Sequence, residues 1–85
     1  MAYQNIKGAS REKAMLAAYV LVNDFGARQT DVAKLFRNTE GKPVSQGTIH
    51  QWVKEIGYQK TIRDLSNELA EAHILAQTLQ LQIEG

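Results

Sequence analysis

The sequence predicts an all-α fold, a three-helix head followed by a long C-terminal helix, and three observations predict it. Apolar residues recur at spacings of three and four in separate segments, no alternating strand pattern runs longer than a few residues, and glycine and proline fall between the periodic segments. With 85 residues, the chain supports one small domain whose core is marginal, because short chains bury a smaller share of their surface. A second copy is one source of the missing burial.

Residues 1–8 form an N-terminal arm ahead of the head, which spans 9–58. Ser10 can cap a first helix running from Glu12 to Val22, and Gly26 is free to take the left-handed conformation that ends it. This helix is apolar nearly all round, which marks a central buried element with Leu16, Tyr19, Val20 and Leu21 as its floor. The second helix is expected from Gln29 to Arg37, its inward face made by Val32, Ala33, Leu35 and Phe36. Its start is weakly marked, since Arg28 is a poor cap and Thr30 serves only if the helix begins a residue later. Asn38 to Pro43 is a loop: Gly41 permits a turn, Pro43 has no amide hydrogen, and Lys42 before it is pushed away from helical geometry. A third helix follows from Ser45 to about Ile56, closed by Gly57, and Tyr58 to Lys60 is a short joint.

Thr61 opens the last helix, with Asp64 three residues on in an approximate capping box near the positive end of the helix dipole. The expected span is 61–84. Ile62, Leu65, Leu69, Ala72, Ala76, Leu79 and Ile83 fall on alternating spacings of three and four, an oligomerisation seam of coiled-coil type. As a coiled coil the 22 residues from Ile62 to Ile83 would reach ~33 Å at 1.5 Å per residue and join two or more heads. As a folded-back helix they would cover the head within one chain. Ile74, Leu75 and Leu81 lie off the seam and widen the apolar face, so that more surface must be met than one partner helix covers. Self-association, with a dimer first, is the favoured expectation, because so much apolar surface suits a monomer tail poorly.

The net charge of +1 conceals a division. All ten Lys and Arg residues lie in positions 1–63 against five acids, giving +5, whereas residues 64–85 carry four acids and no base, giving −4. A basic front with an acidic tail directs any polyanion to the front. The absence of cysteine removes disulfide and thiolate-zinc staples and leaves the cytoplasm as the expected compartment. No secretory leader or membrane span is expected, the longest apolar stretch being Ala14 to Val22.

Helices two and three together have the pattern of a helix-turn-helix. Ala33 supplies the small residue where two helices cross, and Val44, Ile49 and Trp52 bury one side of the third helix. Subtracting these leaves Ser45, Gln46, Gly47, His50, Gln51 and Lys54 on the opposite side, where they could face base edges. Gln pairs with the N6 and N7 groups of adenine, Ser and Thr donate or accept, and His donates to a guanine acceptor. Gly47 would let the backbone approach a phosphate or base, and the helix N-terminus at Ser45 presents amide hydrogens suited to phosphate.

On Gln29, Val32-Ala33 and Leu35-Phe36, then Val44 to Ile49 and Trp52 to Lys54, the chain resembles the helix-turn-helix DNA-binding proteins of bacteria, phages and plasmids. These include small regulators and the DNA-binding ends of resolvases and transposases. The resemblance implies that Ser45, Gln46, Gly47, His50 and Gln51 lie on the recognition helix at positions that contact DNA bases, and that Val44, Ile49 and Trp52 are core; Arg37, Lys42, Thr48 and Lys54 are the candidates for contact with the DNA backbone. The family's usual turn has three or four residues. Here Arg37 to Pro43 makes it longer, either as a protruding loop that carries Lys42 and Arg37 to the DNA or as a plain surface insertion.

Other chemistries find less support. Trp52 shares a helical spacing with Ile49 and Ile56, so it belongs to the core rather than to base stacking. His50 has no acid at metal-ligand spacing, and His73 flanks the C-terminal seam, so neither metal nor cofactor is expected. No nucleophile, base and orienting group come together, and Gly41-Lys42 lacks the strand and glycines of a phosphate loop, so the chain is not expected to be an enzyme. The expected function is sequence-specific binding of double-stranded DNA by an oligomeric transcriptional regulator from a phage, plasmid or other mobile element, located with the nucleoid. A DNA-packaging or recombination accessory, and a protein-interaction module that antagonises a host factor, are the alternatives.

Overall fold

The first helix determines the rest of the architecture. The computed structural model describes residues 11–38 and 40–84, the last by its backbone alone. The arm 1–8, the cap at Ser10 and the loop position Thr39 lie outside the described residues. Helix α1 (Arg11–Asn23) buries eight consecutive residues, Ala14 to Leu21, as an element apolar on every side must. Gly26, at φ +69°, then turns the chain, and the Ala27 amide donates to the Leu21 carbonyl at 2.9 Å. Only glycine adopts that conformation without cost.

Helix α2 (Gln29–Ala33) is shorter than its apolar pattern suggests. The amides of Lys34 and Leu35 donate to carbonyls three residues back, which tightens the final turn and ends the helix before Arg37. The inward face is as expected, with Val32, Ala33, Leu35 and Phe36 all buried. Arg28 precedes the helix with no side-chain cap.

Helix α3 (Gln46–Ile62) corrects two expected boundaries. Gly57 does not end it, and Tyr58 to Lys60 is not a joint. A glycine closes a helix by going left-handed, and among the described residues only Gly26 and Gly41 do so. The Thr61 hydroxyl donates to the Gly57 carbonyl at 3.0 Å within the helix, and the Lys60 ammonium, 5.9 Å from the Tyr19 ring centre, ties the extra turns to α1. The chain leaves the helix only at Arg63, which is extended at φ −139°.

Helix α4 (Ser66–Glu84) therefore starts five residues after Thr61. Asp64 is not the distal member of a capping box but itself the acceptor: its Oδ1 takes the Ser66 amide at 2.9 Å and the Ser66 hydroxyl. These two bonds, the hydroxyl first, hold the Asp64 carboxyl below its ordinary pKa of 3.8. An exposed Arg63–Glu12 pair at 3.5 Å spans from the joint to the start of α1 and contributes little.

The seam of α4 faces inward. Leu65, in the joint just ahead of α4, and Ala72, Ala76 and Leu79 on it are buried in the same core as α1, α2 and α3, with Leu69 and Ile83 packed half-buried against it. These six residues do not form an open oligomerisation surface, and Ile62, the seventh, belongs to α3 and is 82% exposed. The reason is entropic: folding back across a short joint covers the seam within one chain, whereas a second chain would lose its translational and rotational freedom. Small residues on both helices, Ala17 and Ala18 on α1 and Ala72 and Ala76 on α4, allow close approach. The principal extents of 32 × 25 × 22 Å leave no room for a projecting ~33 Å tail. His73, expected as a flanking residue, packs edge-on against Phe25 with ring centres 4.8 Å apart.

The corrected boundaries can be tested by substitution. A Cβ at Gly57 would meet nothing within 4 Å, so Gly57→Ala should stabilise the fold by about 0.5–1 kcal/mol, seen as a higher midpoint in thermal or urea melts. Because the folded pKa of Asp64 lies below its unfolded value, its charge stabilises the fold above that value, and the contribution is lost as pH falls through the folded pKa. Asp64→Asn should thus melt earlier than wild type at pH 7, and the two should converge as the pH is lowered below 3.8.

Candidate nucleic-acid interface

The N-terminus of α3 is built from its own two hydroxyls. Ser45 is extended, at φ −80° and ψ 159°, and its Oγ accepts the Thr48 amide at 3.1 Å. The same Oγ lies 3.0 Å from Thr48 Oγ1, so that the two side chains satisfy each other as well as one free amide of the first turn. Ser45 was expected to contact bases and Thr48 the backbone. Both stand at the right end of the helix, but in the free protein their hydroxyls are occupied in the cap.

From this cap the helix divides into two faces. Ile49, Trp52 and Ile56 are buried, with Trp52 meeting Phe36 of the preceding segment edge-on at a ring separation of 5.7 Å. This contact joins α3 to the α2 side of the core. Gln46, Gly47, His50, Gln51 and Lys54 are all exposed, as expected. The nearest neighbour of a Cβ placed at Gly47 is Ser45 Oγ at 3.7 Å, so that the backbone there lies open to solvent.

The lengthened turn before α3 is an ordered hairpin. Arg37 and Pro43 pair as an antiparallel bridge, and the Asn38 amide donates to the Lys42 carbonyl at 2.8 Å. Asn38 Oδ1 accepts the amides of Glu40 at 2.9 Å and Lys42 at 3.1 Å, while Gly41 takes φ +82°. The Val44 amide closes the base on the Phe36 carbonyl at 3.1 Å. Lys42 is exposed and Arg37 half-buried at the hairpin's foot, three and eight residues ahead of the cap.

Two features were missed in the sequence. Asn38 organises the hairpin through its side chain, a role that its position before a Gly turn signals. Tyr58, 63% exposed, continues the outward line through Gly47, Gln51 and Lys54 at spacings of four, three and four. Ending the helix at Gly57 hid it.

A concavity among the described residues has different chemistry. A cleft of about 210 Å³ between α1 and α4 is lined by Glu12, Lys13, Leu16, Glu68, Glu71 and Ala72, three acids against one base. Among the described residues no cluster of His, Asp or Glu could hold a metal ion, and no helix is long and apolar enough to cross a membrane. Comparison of the chain with protein-family models, curated proteins and solved structures finds no match. The functional reading therefore rests on the geometry of α3.

The cap contributes to stability through the Ser45 hydroxyl. Ser45→Ala should cost roughly 0.5–2 kcal/mol in a denaturant melt, whereas Ser45→Asp, another good cap that also suits the helix dipole, should restore the loss.

Proposed function

We propose that the protein binds double-stranded DNA with sequence preference through the outward face of α3, as a small transcriptional regulator of the kind carried by phages and plasmids. The observation that carries this reading is the division of one helix. Its inner side is held by Trp52, Ile49 and Ile56, and its outer side presents Gln46, His50, Gln51 and Lys54 beyond an open backbone at Gly47. A rigidly seated helix with small polar and amide side chains outward suits the major groove, where hydrogen-bond patterns distinguish all four base pairs.

The roles divide by chemistry. Gln46 and Gln51 are matched to adenine edges and His50 to a guanine acceptor, while Lys54, and Lys42 on the hairpin, neutralise phosphate. In the complex the groups at the α3 N-terminus, Ser45 and Thr48 included, approach the backbone. Arg37 supports the hairpin foot next to them.

A second reading is favoured by a specific observation. Tyr58 and Ile62 leave an apolar end on the outer side of α3, 63% and 82% exposed, which suits a protein partner better than a groove. Salt separates the two readings, because phosphate neutralisation releases counterions and protein docking through apolar contacts does not.

Binding to duplexes selected from a random pool should weaken steeply with salt. Replacing Gln46, His50 and Gln51 together by Ala should remove the preference for the selected sequence, about 1–3 kcal/mol for each bidentate pairing abolished, with helix content unchanged. Lys54→Ala should instead weaken all sequences alike and reduce the salt slope by about one. Absence of binding to any duplex at low salt would overturn the DNA reading in favour of the protein partner.

A further inference from the structure

We propose that Tyr58 contacts the DNA backbone, its hydroxyl donating to a phosphate oxygen of the strand that borders the groove beyond the bases met by Gln46, His50 and Gln51. This contact rests on the reading of α3 as the DNA-binding helix, to which it adds one residue and its place on the duplex. Helix α3 runs unbroken through Gly57 to Ile62, 17 residues in all. Gly47, Gln51, Lys54 and Tyr58 follow one another at spacings of four, three and four, a single line down the side opposite Ile49, Trp52 and Ile56, and all four are exposed.

Length decides which part of the duplex Tyr58 meets. A recognition helix enters the major groove by its N-terminal residues. Tyr58 stands ~18 Å along the axis from Gln46 at 1.5 Å per residue, whereas the groove is ~12 Å wide. With Gln46 at the base edges, Tyr58 is carried past them to the sugar-phosphate strand at the groove's edge. Its chemistry suits that position. The side chain is 63% exposed, and among the described residues no hydrogen bond engages its hydroxyl. Tyrosine is one of the side chains that donate to phosphate oxygens. The next position on the line, Thr61, has already given its hydroxyl to the Gly57 carbonyl, so Tyr58 is the last side-chain donor there that remains uncommitted. Ile62 shares the exposed end of the helix but departs from the line, and it has nothing to offer a phosphate. Lys54 and Glu55 lie ~100° apart around the helix and balance in charge, so Tyr58 fixes direction and distance at that end rather than adding attraction.

The test compares the full 85-residue protein with its Tyr58→Phe variant, which keeps the ring and removes only the hydroxyl, on a duplex selected from a random pool and on a scrambled duplex. Tyr58→Phe should weaken binding to both by about 10-fold, the order of one hydrogen bond to a charged acceptor. The salt slope should stay that of wild type, because a neutral donor displaces no counterion, in contrast to Lys54→Ala. Helix content and thermal melting should match wild type, since the side chain is exposed. A methylphosphonate, which lacks the charged oxygen, placed in turn at each phosphate bordering the selected site reads the position: at one of them the difference between wild type and Tyr58→Phe should vanish. A difference that survives at every phosphate would overturn the proposal, as would a loss confined to the selected sequence, which would make Tyr58 a base contact. If wild type binds DNA with preference and Tyr58→Phe binds as tightly, the phosphate contact fails while the DNA reading stands, and Tyr58 is left to a protein partner. If wild type binds no duplex at low salt, both fall together.

Discussion

Everything in this fold answers to one requirement, the burial of α1. Eight consecutive residues with no polar side must be kept from water, and no single partner helix can cover a full cylinder. The segment around α2 and α3 covers one part and α4 another, with α4 making the most extensive contact. In an 85-residue chain, nothing else is large enough to serve as a core. The C-terminal helix is therefore a wall of the domain, held by Leu65, Ala72, Ala76 and Leu79, and the apparent separation of head and tail disappears.

The same requirement explains which parts of the structure were legible in the sequence. Period marks where a side chain points, and it located the buried faces of α1, of the α2 segment and of α3 and the core role of Trp52, whereas the capping role of Ser45 appears only in the fold. Period does not say what a face packs against. The seam of α4 was visible as a stripe, but its partner depended on whether the joint allows the helix to return along α1, which is a property of the assembled chain. Helix ends failed for a related reason. Gly57 has the composition of a stop, yet a glycine stops a helix only if a left-handed turn gains more than continued packing, and here the contact of Lys60 with the Tyr19 ring favours continuation. Asn38 was read as an anonymous loop residue because its influence lies in two backbone amides that only the folded turn brings to it.

Charge and shape divide the surface in a consistent way. The outer side of α3 carries Lys54 beside Glu55, the hairpin carries Lys42 beside Glu40, and the cleft between α1 and α4 sets Glu12, Glu68 and Glu71 against Lys13. The acids thus outnumber the bases in the cleft, whereas the two charges balance at the hairpin and on the outer side of α3.

The two-sided construction of α3 has a bearing on how such a protein can change over time. Ile49, Trp52 and Ile56 are locked by the core, so substitution there is met with a loss of stability that a small domain cannot absorb. Gln46, His50, Gln51 and Lys54 are exposed, where most replacements alter stability by less than about 0.5 kcal/mol. Mutation can therefore rewrite the outward positions one at a time while every intermediate remains folded. Descendants of such a chain are free to diverge along the outer side of α3 long before they diverge in architecture.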